Sequence, residues 1–324
     1  MKAAVLYREE ALPKYTDFPE PAIQHDDEIL VTVKAVAIKH LDKGKASGRH
    51  YSSEAGTGNG QVIGSDGICL LPDGSRVYAI GASGMLAEKA LISKTHMTPV
   101  PGGLDDATAA ALPNAVMGAA MALRFKAGIQ PGDVVLVNGA TGCTGRIAVQ
   151  LAKYYGAGKV IATGRNAASL QHLLSLGADE TIQIERNDEG FKTTLTTIHA
   201  ATPVDVIIDY LWGHTAETIL ACLKGKGRFT NRTRYVSVGS MAGDLMQLSA
   251  ACLRSVDLQL TGSGLGSWSR EQLAQLFSDI LPEAFNLAAA GKLQLETLTM
   301  PLHRIAELWN LEVPAGQRLV VTIG

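Results

Sequence analysis

The chain is 324 residues long with 46% hydrophobic and 19% charged side chains, a balance that excludes a largely disordered chain or an extended coiled coil and, at about 150 residues per domain, points to two folded domains. Its 29 basic and 31 acidic residues leave a formal charge of −2, so no global field favours nucleic acid or an acidic membrane surface. The four cysteines, Cys69, Cys143, Cys222 and Cys252, form no CxxC pair, which argues against a disulfide framework or a structural zinc site and fits a reducing cytoplasm.

The opening segment MKAAVLYREEALPKY holds an apolar run too short for a secretory signal, so the mature chain is expected to start there. No uninterrupted apolar run is long enough to span a bilayer; even the alanine-rich stretch 108–123 is broken by Pro113, Asn114 and Gly118, and no membrane association is expected. Short strands are predicted at 2–7, 28–37, 62–71 and 76–80, on alternation and glycine punctuation. Residues 44–60 carry five glycines and four serines or threonines and read as a lid or pocket wall. From Asp105 the texture changes to a helix broken at Pro113, and from Asp133 strands alternate with helices. Strands are predicted at 134–139, 159–164, 180–185, 204–211, 234–240 and 258–264, with helices between them. Six strands with helical crossovers make a doubly wound parallel sheet. The tail, with helices at 270–290 and 302–311 and strands at 294–299 and 318–323, is read as returning to the first domain.

The first strand of that alternation feeds GATGCTG, in which Gly139, Gly142 and Gly145 are spaced by three. Ala140 stands in the first glycine slot of the dinucleotide-binding fingerprint. Small residues let the chain turn tightly and let amides approach a pyrophosphate, while the following helix N-terminus adds partial positive charge. Thr141, Cys143 and Thr144 lie where an N–H or hydroxyl could reach phosphate, Cys143 reading as a small filler. At the end of the second strand, where an NAD-binding protein places an acid against the ribose, stand Gly164, Arg165 and Asn166. Arg165 offers a planar fork to a 2′-phosphate, so the predicted cofactor is NADPH. The ends of the later strands should face the cofactor, which names Tyr210, Gly239, Ser240, Gly262 and Ser263, with Trp212 and Met241 beside them as substrate-pocket candidates.

Further motifs are MKAAVLY at the start, AIKHLD at 37–42, GSDG at 64–67, GMLAEKALI at 84–92, LGADETI at 176–182, VDVIIDYLWG at 204–213 and AGQRLVVTIG at the end. With the glycine turn they resemble, almost end to end, the medium-chain dehydrogenase/reductase superfamily, most closely its zinc-independent quinone oxidoreductase branch. The resemblance implies an α/β architecture: a GroES-like β-barrel catalytic domain over 1–124, completed by 263–324, and a Rossmann NADPH-binding domain over 125–262, with the active site in the cleft. It also implies a cytoplasmic homodimer paired through the sheet edge at 258–261. Zinc-dependent relatives carry a cysteine where this chain has Lys39 and a GHE triplet where it has Gly64, Ser65 and Asp66, so no metal is expected. Without a Lewis acid, hydride addition to a quinone or enone is favoured over alcohol oxidation.

Quinone oxidoreductases often carry Asn at the Lys39 position and a tyrosine near Gly44, and the chain departs at both. Lys39 is read either as stabilising charge on a substrate oxygen or as part of a solvated basic loop with His40, Lys43 and Lys45. His40 and Tyr51 are candidates for proton delivery, Asp42 is expected to order the loop, and Asp66 to cap backbone. Asn114, Val116 and Met117 resemble the segment that flanks the nicotinamide. The leading expectation is an NADPH-dependent, zinc-independent quinone reductase. The alternatives are an enoyl-thioester or alkenal reductase and, from another class, a non-catalytic NADPH-binding structural or RNA-binding protein of the crystallin-like kind.

Overall fold

The structure, a computed structural model, describes the chain except for Arg8, Glu9, Ala11, residues 49–59, Arg186, Lys226, Arg228 and Phe229. Contacts divide the chain into one unit made of Met1–Asn114 with Phe277–Gly324 and a second made of Ala115–Leu276.

The N-terminal part of the first unit runs β1 (Lys2–Leu6), β2 (Lys14–Asp17), β3 (Glu28–Ala37), α1 (His40–Ala46), β4 (Gln61–Val62), β5 (Asp66–Leu70), β6 (Arg76–Gly81) and β7 (Lys89–Pro99). The strand predicted over 62–71 is split at Gly64, where φ is 94° and a Cβ would lie 3.0 Å from the Leu86 amide nitrogen. Only glycine fits such a turn. Next comes α2 (Asp106–Met121), which continues through Pro113 rather than breaking there and then widens into a π-helical stretch at Ala122–Ala127. Proline removes one hydrogen bond, and a buried helix can absorb that loss.

The second unit continues with β8 (Val134–Asn138), α3 (Cys143–Tyr154), β9 (Lys159–Gly164), α4 (Ala167–Ser175), β10 (Glu180–Gln183), α5 (Glu189–Ala201), β11 (Val206–Asp209), α6 (Gly213–Leu223), β12 (Thr233–Ser237), α7 (Ala250–Ser255), β13 (Leu258–Gly262) and α8 (Arg270–Gln275). The tail adds α9 (Leu281–Ala289), β14 (Glu296–Pro301), α10 (Ile305–Leu308) and β15 (Gln317–Thr322).

In the first unit the sheet order is β14-β15-β3-β5-β6-β7, and β7 pairs back onto β3, so β3, β5, β6 and β7 close on themselves. Closure removes the unpaired edges that an open sheet would present. Val31, Val33, Val36 and Ile92 pack inside with Leu319 and Val321 of β15 and Trp309, which ties the chain's end into its beginning. A smaller sheet, β2-β1-β4, joins through the bridge between Ala3 and Ala87.

In the second unit six parallel strands are ordered β10-β9-β8-β11-β12-β13, the 3-2-1-4-5-6 order of a doubly wound sheet. All five residues of β8 are buried, as a central parallel strand covered on both faces requires. The order reverses between β8 and β11, so the loops leaving these two strands flank the switch point where such sheets bind ligands. The expected combination of a GroES-like barrel and a Rossmann sheet is the fold of this chain.

Candidate active site

After β8 the chain turns through Gly139, whose φ is 82°, and enters α3 with Gly142 at the N-cap. A Cβ on Gly145 would lie 2.6 Å from both Ala140 Cα and Gly139 O, and one on Gly164 would lie 2.4 Å from Thr141 Cγ2. The end of β9 and the start of α3 therefore approach the turn more closely than any larger residue allows. Gly142 is under no such demand; its Cβ would meet nothing nearer than 3.9 Å. No acid stands in the first turn of α3, so the partial positive charge of that helix end is left for a ligand. Thr141, Cys143 and Thr144 are half-buried around this mouth.

Arg165 and Asn166 are exposed at the end of β9. Asn166 caps α4, its Oδ1 accepting from the Ser169 amide at 2.8 Å, and the Arg165 guanidinium is free of the backbone role its neighbour plays. The Tyr210 hydroxyl donates to Gly118 O at 3.2 Å, and burial, followed by the charge of Asp209, raises its phenol far above the ordinary value. Ser263 is buried and its Oγ accepts from Trp268 Nε1 at 3.1 Å. Gly239 lies under Tyr210, where a Cβ would be 2.9 Å from the Tyr210 carbonyl oxygen. Ser240, Met241 and Gly262 are exposed, and Asn114 and Met117 are half-buried on α2. Trp212 packs edge-on against Tyr235 at 6.2 Å, beside the apolar core of its unit.

The strand ends also hold a buried polar line that sequence reading missed. Asn138, Thr163 and Asp209 are each fully buried, as is Tyr235. Asn138 Nδ2 donates to Asp209 Oδ1 at 2.7 Å, Thr163 Oγ1 donates to Asn138 Oδ1 at 2.7 Å, and the Tyr235 hydroxyl donates to Asp209 Oδ2 at 2.6 Å. The sequence signal was one polar residue near the end of each of three otherwise apolar strands, VVLVN, KVIATG and VIID.

In the first unit Lys39 is only 2% exposed. Its ammonium donates to Asp66 Oδ1 and, at 3.1 Å, to Ala37 O, and lies 3.2 Å from Asp42 Oδ2. Asp42 orders the loop as expected, accepting the Lys39 amide at 2.9 Å and the Ser65 amide and hydroxyl at 3.1 and 2.7 Å. Asp66 differs from expectation: instead of capping backbone it takes Lys39 and, at 2.8 Å, the Tyr78 hydroxyl. Burial alone would lower the Lys39 pKa, but Asp42 and Asp66 outweigh it and hold the group above its ordinary value. A solvated basic loop is excluded for Lys39 by this burial.

His40 is exposed at the start of α1, its pKa lowered by partial burial and then by Arg318 and Lys43. Arg318, which sequence reading also missed, is 8% exposed, and its Nε has no hydrogen-bond partner among the described residues. Tyr51 and most of the predicted lid lie outside the described residues.

The family model of the zinc-binding dehydrogenases matches residues 143–281, a stretch that contains none of Lys39, Gly64, Ser65 and Asp66. The chain is 26% identical to the probable NADPH-dependent quinone reductase tdiC of Emericella nidulans, over 95% of this chain and 96% of that protein. It is 28% identical to the quinone oxidoreductase-like protein 2 homolog of Nematostella vectensis, over 70% of this chain and 60% of that one. The quinone oxidoreductase of Thermus thermophilus, solved also in complex with NADPH, superposes with a TM-score of 0.80 at 25% identity, covering 99% of this chain and 100% of that one. Strand order, glycine turn and relatives agree: the chain is similar throughout to the medium-chain dehydrogenase/reductase superfamily and, within it, to the quinone oxidoreductases.

Proposed function

We propose that the chain is an NADPH-dependent reductase of quinones or similar conjugated carbonyl compounds. The observation that carries this reading is the glycine turn at the mouth of α3 with Arg165, and no acid, at the end of β9. The amides of 139–145 and the N-terminus of α3 would hold a pyrophosphate, and Arg165 would pair with a 2′-phosphate. NADPH, when bound, supplies the hydride. The names of tdiC and of the Thermus complex support the same cofactor and acceptor class.

The remaining residues orient the reactants and tune charge. Lys43 and the unsatisfied Arg318 Nε gather positive charge around His40 in the first unit, which supports a ligand that carries, or develops, negative charge there. His40, held below its ordinary pKa by burial and then by these charges, is the candidate for taking a proton from water and passing it to the reduced acceptor. Lys39 serves as the fixed cation of the Asp42–Asp66 cluster, standing where zinc-dependent relatives carry a metal ligand. An ammonium donates and cannot ligate, so we read the reaction as zinc-independent, with charge delocalised by the conjugated carbonyl itself. The edge strand β13 is where we place a homodimer contact.

The test is NADPH oxidation by the purified chain against a para-quinone, an ortho-quinone, an alkenal and an enoyl thioester, with NADH in parallel and with and without a strong chelator. Turnover of a quinone with NADPH, unchanged by the chelator, is the expected result. Turnover confined to the enoyl thioester or alkenal would move the assignment to the double-bond reductases. NADPH binding without turnover of any acceptor would favour the non-catalytic reading.

A further inference from the structure

We infer that Asp209 is a positioning residue for the cofactor turn, acting through Asn138 and Thr163; the inference rests on the reading of 139–145 as the NADPH site. Its carboxylate is fully buried and accepts four donors: Asn138 Nδ2 at 2.7 Å, the Leu211 amide at 2.8 Å, the Trp212 amide at 3.1 Å and the Tyr235 hydroxyl at 2.6 Å. From Asn138 the line runs back to the turn: its Oδ1 accepts from Thr163 Oγ1, and Thr163 Oγ1 accepts from the Gly139 amide at 3.2 Å. Every proton in the line points toward Asp209. A line with one direction needs an end that only accepts, and among uncharged and charged side chains that end is an ionised carboxylate.

The line holds both loops of the switch point. The turn is fastened by Thr163, whose carbonyl also accepts the Ala140 amide at 2.8 Å. The loop after β11 is fastened by Asp209 and by Thr215 Oγ1, which donates to Trp212 O at 2.9 Å and accepts from Asn138 Nδ2 at 3.2 Å. Trp212 is the one non-glycine residue with positive φ among the described residues, at φ 58° and ψ −154°, a conformation that a tryptophan keeps only when its surroundings hold it. The loops also touch: a Cβ on Gly139 would lie 2.8 Å from Leu211 Cγ. Asn138 and Asp209, 71 positions apart in the chain, thus meet on one buried carboxylate, and the amides meant for a pyrophosphate take their place from it.

The pyrophosphate is common to NADPH and NADH, so a loosened line weakens both alike, whereas loss of Arg165 touches only the 2′-phosphate. The experiment is fluorescence titration of the purified full chain with NADPH and with NADH, for wild type, Thr163→Val, Thr163→Ser and Asp209→Asn, with a thermal melt of each. Thr163→Val keeps the shape but leaves the Gly139 amide without its acceptor, and both dissociation constants should rise by the same factor, about tenfold. Thr163→Ser restores the hydroxyl and should stay within about twofold of wild type. Asp209→Asn turns one acceptor into a donor and should exceed the Thr163→Val effect; if it does not fold, Thr163→Val against Thr163→Ser decides alone. Unchanged affinity in Thr163→Val, loss confined to NADPH, or no rescue by serine would overturn the inference while leaving the NADPH site standing. No binding of NADPH by wild type would instead overturn the reading beneath it.

Discussion

Replacing Lys39 with methionine keeps the side chain's length and removes its ammonium from between two buried carboxylates. In the native chain that ammonium donates to Asp66 and Ala37 O and lies 3.2 Å from Asp42; both acids are nearly as buried as the lysine. Removing one partner of a buried ionic cluster costs about 3–5 kcal/mol, because the charge left behind keeps its desolvation cost and loses its attraction. At about 2–4 °C per kcal/mol for a unit of this size, the melting temperature should fall by ~6–20 °C. The sign of the pH dependence follows from the same groups. Lys39 has a folded pKa above 10.5, so its stabilisation is complete below the unfolded value and is lost only as pH rises through the folded one. Thermal melts of wild type and variant at neutral pH measure the effect. A variant melting within about 2 °C of wild type would refute the cluster as described.

Arg165→Ala should weaken NADPH by about ten- to a hundredfold and NADH by less than about twofold, read by equilibrium titration; equal losses would remove Arg165 from the 2′-phosphate. Gly145→Ala places a Cβ 2.6 Å from Ala140 Cα, so NADPH binding and melting temperature should both fall, and an alanine variant that binds normally would contradict the close approach of α3 to the turn. Burial pushes the Cys69 thiol up to about 12, so it should resist alkylation in the native chain at mildly alkaline pH. Cys143, half-buried in the turn, should label under the same conditions and be protected by NADPH, and peptide mass spectrometry showing equal labelling of the two would contradict the burial.

The fold was legible wherever periodicity and punctuation agreed. The central strands β8, β9 and β11 of the parallel sheet carry apolar runs closed by a glycine or a polar residue, and the glycine turn carried its own chemistry in its spacing. Two strands of the barrel side escaped notice for a physical reason: β2 has no buried face of its own, and β7 alternates only in part along its length. Pro113 misled because a helix buried along most of its length tolerates the lost hydrogen bond. The polar machinery was harder still. Lys39 sits in sequence beside His40, Lys43 and Lys45 and read as basic surface or as a group reaching substrate; its partner Asp66 lies 27 residues away and meets it only once β3 and β5 have paired. Asn138, Thr163 and Asp209 likewise become one group only through strand order, and Arg318 meets His40 only because β15 returns to β3.

The most direct test of the central claim is equilibrium titration of the purified wild-type chain with NADPH and NADH, followed by cofactor fluorescence. NADPH should bind tightly and at least about tenfold more tightly than NADH, the margin that one charge-assisted pairing with the 2′-phosphate provides. Failure to bind either dinucleotide, or equal affinity for the two, would contradict the assignment of the turn and Arg165.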